Sequence, residues 1–260
     1  MIDTPKQIRN PKFQDIRAIE DMPLIIDWDL RHQMAFVFEI DTETAHANIP
    51  RETRLQPYEV RPGVSLIFLG YNDYNPGNII QGEAQPAFKE ITRVFMVQPN
   101  LSVSMPIPRF TFFVHRIASD NPAFIQQEID WLHLPSYHTP TMRAESNEGK
   151  TDVRIMDDDG LIRELLNTHP NPTYQDDAFF GQYYSLQDGK LYFGVFYWAG
   201  KVCVHQRKGK AGGIYEHPFL TDMKQTFDAG KVGDCYMQLI TAYDEPLVQR
   251  FYKPRLLREI

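Results

Sequence analysis

Only two cysteines, Cys203 and Cys235, occur in 260 residues, each inside an apolar, strand-like stretch. That leaves no disulfide framework, so both thiols are expected to be buried, in a reducing, cytoplasmic setting. Basic runs are missing too. The 27 Lys and Arg are outnumbered by 34 Asp and Glu, giving a net charge of −7. Phosphate backbones and anionic membranes both need a basic face, so neither nucleic acid nor membrane is an expected partner. No apolar run approaches the roughly 20 residues of a spanning helix. The first residues are polar and mixed in charge, without the apolar core of an export signal. Generic catalytic signatures are absent as well: GxSxG, HExxH, the Walker A loop, CxxC and GxGxxG do not occur.

What is present is ample apolar material. The chain is 42% hydrophobic, with 17 Phe, 13 Tyr and 3 Trp, enough for a sizeable core. Residues 1–24 carry three prolines and little periodicity, and read as an N-terminal arm before a single domain over 25–260. Strands are expected at 34–40, 64–71, 90–98, 109–117 and 235–242. Asp41 is placed to cap a short helix that must stop before Pro50. The sequence Ser119-Asp-Asn-Pro122 opens another helix, with Pro at a first helical position and apolar residues at 124, 125 and 129. A last helix is expected near 218–228. Asp159-Gly160, Asp188-Gly189 and Ala199-Gly200 read as hairpin turns, and residues 190–198 as a central strand buried on both sides. The sum is α+β, mostly β, and so many antiparallel strands suggest a closed barrel with a few short helices.

Three places could carry chemistry. Asp130-Trp-Leu-His133-Leu-Pro135-Ser136-Tyr137-His138 gathers a carboxylate, two imidazoles, a hydroxyl and a phenol in a proline-stiffened loop. Asp130, His133 and His138 are ligand types that suit zinc, but with no third histidine or cysteine nearby the ordinary polar loop is the stronger reading and no metal is expected. Glu90 sits at the mouth of an apolar strand, where a carboxylate is either an exposed strand end or a tuned acid or base. Arg31, before the first strand, is a candidate partner for Glu90 or a clamp for a substrate carboxylate. The glycine-rich Lys208–Gly213 stretch and the acidic run Asp157–Asp159 read as a solvated loop and a turn.

In order and spacing these features resemble the acetoacetate decarboxylase superfamily across about residues 25–145. Arg31 precedes a strand ending Phe38-Glu-Ile-Asp41, and a helix closes at Ile49-Pro50. Phe88-Lys-Glu90 matches the family's Tyr-x-Glu strand start. Ala118-Ser-Asp-Asn-Pro-Ala123 and Asp130–Tyr137 match its next strand and its Arg-Glu-x-x-Gly-x-Pro-Lys-Lys helix end. The resemblance implies the fold, an apolar pocket, a small-molecule substrate and a homo-oligomer, with no cofactor. It also exposes a departure. The family's Schiff-base lysine and the lysine that tunes it fall at Ser136 and Tyr137, and a further family glutamate falls near Ile67.

The expectation is therefore a lysine-independent lyase or cyclase of specialised metabolism, acting on a small or polyketide-like oxo acid or enol. Glu90 would be the acid/base, Tyr137 or His133 would stabilise an enolate, and Arg31, orienting a carboxylate or Glu90 itself, and Ser136 would complete the catalytic set. Arg31, Pro135, Phe88, Trp131 and His138 would bind substrate. The alternatives are a non-catalytic small-molecule-binding protein, or a Schiff-base enzyme with a relocated lysine such as Lys89.

Overall fold

The computed structural model describes residues 22–98, 108–139, 142–147, 150–157, 160–167, 172–205, 212–215 and 232–260. In chain order, β1 (Leu24–Asp41) leads through α1 (Thr42–Asn48) to β2 (Glu59–Arg61) and β3 (Val64–Tyr74). A small hairpin of β4 (Ile79–Ile80) and β5 (Glu83–Ala84) precedes β6 (Phe88–Met96) and β7 (Pro108–Ser119). Then come α2 (Pro122–Gln127), β8 (Ser136–His138), β9 (Met142–Asn147), β10 (Lys150–Asp157) and β11 (Gly160–Asn167). The chain continues through β12 (Gln175–Gln187), β13 (Lys190–His205), β14 (Gly212–Tyr215), β15 (Val232–Thr241), β16 (Leu247–Tyr252) and β17 (Arg255–Glu259).

The large sheet runs β1–β16–β13–β12–β7–β6–β3, and β3 pairs with β1 again, so the pairing returns to its start. β15 bridges β1 and β13, while β9, β10, β11 and β14 form a separate sheet. Most pairings are antiparallel, but β7 runs parallel to both β12 and β8. Among the described residues no helix is long and apolar enough to cross a membrane.

Strand β1 shows how the sequence sets the two faces. Ile26, Trp28 and Leu30 are buried between exposed Asp27, Asp29 and Arg31, the alternation of a half-buried strand. From His32 onward the strand is buried on both sides. One apolar cluster, with Ala35, Val37, Val94 and Phe112, fills the inside of the ring. Another, with Met34, Phe36, Phe38, Ile67 and Phe95, covers the alternate face. Between Leu30 and His32 one extra residue on β1 opposes the continuous Tyr74–Asp73 step of β3. This bulge reverses the inward parity of the strand.

Both helices start as their capping residues dictate. The Asp41 carboxylate accepts from the Thr44 amide at 3.1 Å, and the Asn121 side chain accepts from the Phe124 amide at 3.0 Å with Pro122 first in the helix. Asp188 and Gly189, at φ 50° and 70°, make the two-residue turn between Gln187 and Lys190. Ala199-Gly200 is not a turn. It lies within β13, where a Cβ on Gly200 would meet Leu247 Cδ1 at 2.7 Å, so glycine serves close packing there. Within the segment read as an arm, Met22 is buried and the Lys253 amide donates to the Pro23 carbonyl at 2.8 Å. Cys203 is a free, half-buried thiol. The side chain of Cys235, the helix expected near 218–228 and the 208–211 loop lie outside the described residues.

His32 carries a testable consequence. Burial, the largest cause, pushes its imidazole down to about 4, with a weaker opposing contribution from Thr241. Below pH 6.5 the unfolded chain takes up a proton that the folded chain refuses, so stability from this group is lost as pH falls towards 4. The stability advantage of the native chain over a His32→Gln variant is expected to shrink by about 3 kcal/mol across that window. Urea unfolding of both proteins at pH 4.5 and pH 7 measures it; a constant difference would refute it.

Candidate active site

Inside the ring lies a largely apolar cavity of about 90 Å3. Alternation and register determine what faces it. Gln33 of β1 pairs with Asn72 of β3, and Asn72 pairs with Glu90 of β6, so three polar side chains stand in one row across neighbouring strands. The next inward row is Ala35, Gly70 and Thr92, three small side chains that leave open space beside the polar row. Phenylalanines 68, 110, 112, 179 and 196 supply much of the apolar wall.

Glu90 is 4% exposed and held by three donors. Asn72 Nδ2 donates to Oε2 at 3.0 Å, Tyr74 Oη donates to the same oxygen at 2.5 Å, and Thr92 Oγ1 donates to Oε1. Gln33 Nε2 in turn donates to Asn72 Oδ1 at 2.6 Å, which fixes the amide that faces the carboxylate. Phe88 stacks on Tyr74 at 4.4 Å and steadies the phenol. Burial raises the Glu90 carboxyl above its ordinary value, while the three donors pull it back.

A second carboxyl, Glu128, reaches the same cavity from the end of α2. It is 1% exposed, and Ser136 Oγ donates to its Oε2 at 2.7 Å. Burial, then the negative field of Glu90, hold it well above the usual carboxylate range, with Ser136 opposing. The two acids are thus supported unequally. Glu90 carries three donors that favour the anion, Glu128 one, and two neighbouring buried carboxyls resist ionising together.

The other expected site residues fall elsewhere. Arg31 is exposed, its Nε 2.9 Å from Asp244 Oδ1 and its guanidinium over the Tyr243 ring. Counted back from Gln33 by unbroken alternation it would face the cavity, but the bulge at 30–32 turns it outward. Ser136 touches the site through Glu128, and Pro135 accepts from the Ile117 amide beside cavity-lining Leu134. His133 stacks on Tyr192 at 3.9 Å with Nδ1 3.2 Å from Gln187 Oε1, outside the cavity. Tyr137 packs against the alternate face, and Trp131 and His138 are exposed. Asp130, His133 and His138 do not converge; among the described residues no trio of His, Cys, Asp or Glu is placed to hold a metal. Lys89 points away from Glu90 on the other face of β6, opposite Asp73. No lysine is among the described residues lining the cavity.

Glu128 was missed by sequence reading, although Phe124, Glu128 and Leu132 recur at four-residue intervals and place this carboxyl on the buried side of its helix. Tyr183, Trp198 and Gln249, which also line the cavity, had no local signal.

A ring of strands thus surrounds an apolar cavity that holds two buried acids. The chain has the acetoacetate decarboxylase fold: an acetoacetate decarboxylase matches over 100% of this chain and 99% of that one, at TM-score 0.56 and 10% identity. The acetoacetate decarboxylase of Legionella pneumophila matches over 99% and 95%, at TM-score 0.56 and 9% identity. MppR, an enduracididine biosynthesis enzyme complexed with pyruvate, matches over 90% and 91%, at TM-score 0.56 and 11% identity. No protein-family model and no curated protein matches the sequence. His133, just after the helical segment that carries Glu128, adopts φ 54°, the left-handed backbone that favours glycine.

Proposed function

We propose that the chain is a lysine-independent acid–base enzyme of the lyase type, built on a closed barrel and acting on a small carbonyl compound or enol. The observation that carries this is the pair of buried, unequally supported carboxyls, Glu90 and Glu128, on one apolar cavity whose described lining has no lysine. Two carboxyls with environments that push them apart divide the roles of base and acid between them. Glu90, with three donors, is the carboxylate that removes a proton next to the substrate carbonyl. Glu128, with one donor and a negative neighbour, keeps its proton and delivers it to the developing enolate oxygen or to a leaving hydroxyl. Ser136 positions Glu128 where the family carries its nucleophilic lysine.

An apolar cavity of about 150 Å3 takes benzene. One of about 90 Å3 favours a substrate of a few heavy atoms over a polyketide-like chain. The similarity to MppR, whose structure holds pyruvate, supports the same size class. The test is intact-mass analysis after borohydride reduction with acetoacetate, pyruvate and a longer β-keto acid. The unmodified mass is expected for each; a trapped adduct would show that an amine acts as nucleophile and would overturn the lysine-independent chemistry.

A further inference from the structure

The polar lining of the cavity is unbalanced. It offers two carboxyls, Glu90 and Glu128, and among its described residues no Lys, Arg or His. An anion entering it would shed water and meet no cation, and an unpaired charge is disfavoured in such a place. Two donors, in contrast, are unmatched. Tyr183 Oη and Trp198 Nε1 are buried without a hydrogen-bond partner, on residues 2% and 1% exposed that both line the cavity. An indole N–H only donates, and a phenol donates readily, so both groups select a ligand that brings an acceptor. Buried polar atoms are almost always paired, which makes two such donors on one wall a recognition feature.

The Tyr183 position is built into the sheet. Tyr183 stands opposite Gly194, where an added Cβ would lie 2.0 Å from the ring and 2.3 Å from the hydroxyl. The ring therefore lies across the glycine, in a place no other residue type would leave open. Burial, then the neighbouring Glu128, hold the hydroxyl well above its ordinary value, so it stays protonated and donates.

We infer that the cavity takes an uncharged carbonyl compound of a few heavy atoms in preference to a carboxylate anion, with the ligand oxygen accepting from the Tyr183 hydroxyl. This inference rests on the reading of the same cavity as the active site and names the charge class of its substrate. It sets the chain apart from MppR, whose structure holds pyruvate, by the charge of the ligand it takes.

Pyruvamide and pyruvate are close in size and shape and differ in charge. Three tryptophans give three indole N–H signals in the 15N-labelled protein, and titration at pH 7 follows the one that belongs to Trp198. Pyruvamide is expected to move that signal and to bind at least about tenfold more tightly than pyruvate. Tyr183→Phe is expected to weaken pyruvamide about threefold to tenfold, the worth of one hydrogen bond. Its thermal midpoint should be unchanged or raised, because an unpartnered buried hydroxyl does not support the fold. Glu90→Gln should narrow the gap by improving pyruvate binding. Pyruvate binding as tightly as pyruvamide, or Tyr183→Phe leaving pyruvamide affinity unchanged, would overturn the inference. Neither outcome would touch the acid–base reading, which is judged by proton exchange; absence of exchange in the native protein would sink that reading and leave the binding result standing.

Discussion

Glu90→Gln is expected to lower the rate of proton exchange next to the carbonyl of a bound small ketone by about 10²- to 10⁴-fold, the usual worth of a positioned base. Exchange is read by NMR in deuterated water, so the full reaction need not be known. The side chain keeps its size, but the amide cannot accept a proton, and its NH2 must face at least one of the donors from Asn72, Tyr74 and Thr92. Affinity for an uncharged ligand should change only a few-fold, because the apolar wall and Tyr183 are untouched. Native protein that binds without accelerating exchange would make this a binding protein and remove Glu90 from any catalytic role.

Gly194→Ala should damage fold and cavity together. A Cβ there would lie 2.0 Å from the Tyr183 ring, which is fully buried and cannot swing into solvent. The ring must move into the cavity it lines, at a cost of roughly 1–3 kcal/mol for overpacking, which exceeds the entropic gain of about 0.4–1 kcal/mol from replacing glycine. A melting midpoint several degrees lower is expected, along with loss of pyruvamide binding. In a Tyr183→Leu background the same substitution should cost much less, since the clash is specific to that ring. An unchanged midpoint in Gly194→Ala would show that the ring does not rest on the glycine.

Much of the scaffold was legible because its signals are local. Asp41 and Asn121 announce helix starts by capping chemistry, Asp188-Gly189 announces a two-residue turn, and apolar runs locate the long strands. Glu90 was visible as a charge misplaced in an apolar strand. The rest of the site depends on which strands meet and in what register. Arg31 was expected at the site from its place before the first strand and from the family resemblance, and the bulge that turns it outward has no signature in the sequence. Gly200 looked like a turn because a glycine that accommodates a neighbouring Leu247 and one that reverses the chain are alike in sequence. Glu128 escaped notice because Asp130, exposed and hydrogen-bonded by Gln126, is the more conspicuous acid of the same segment. Tyr183 is explained only by Gly194, a residue across the hairpin.

The sheet is apolar on both faces over much of its length. Sliding such a strand by one residue would exchange one greasy face for another, so hydrophobicity alone does little to forbid misalignment. The features that do forbid it are few: the Gln33–Asn72–Glu90 row, and the two places where Phe196 and Tyr183 lie over Gly181 and Gly194. Slip any of these strands and a carboxylate loses its donors or a ring collides with a side chain. The groups that line the candidate site are thus also the locating pins of the sheet, and any change to them must keep the strands aligned.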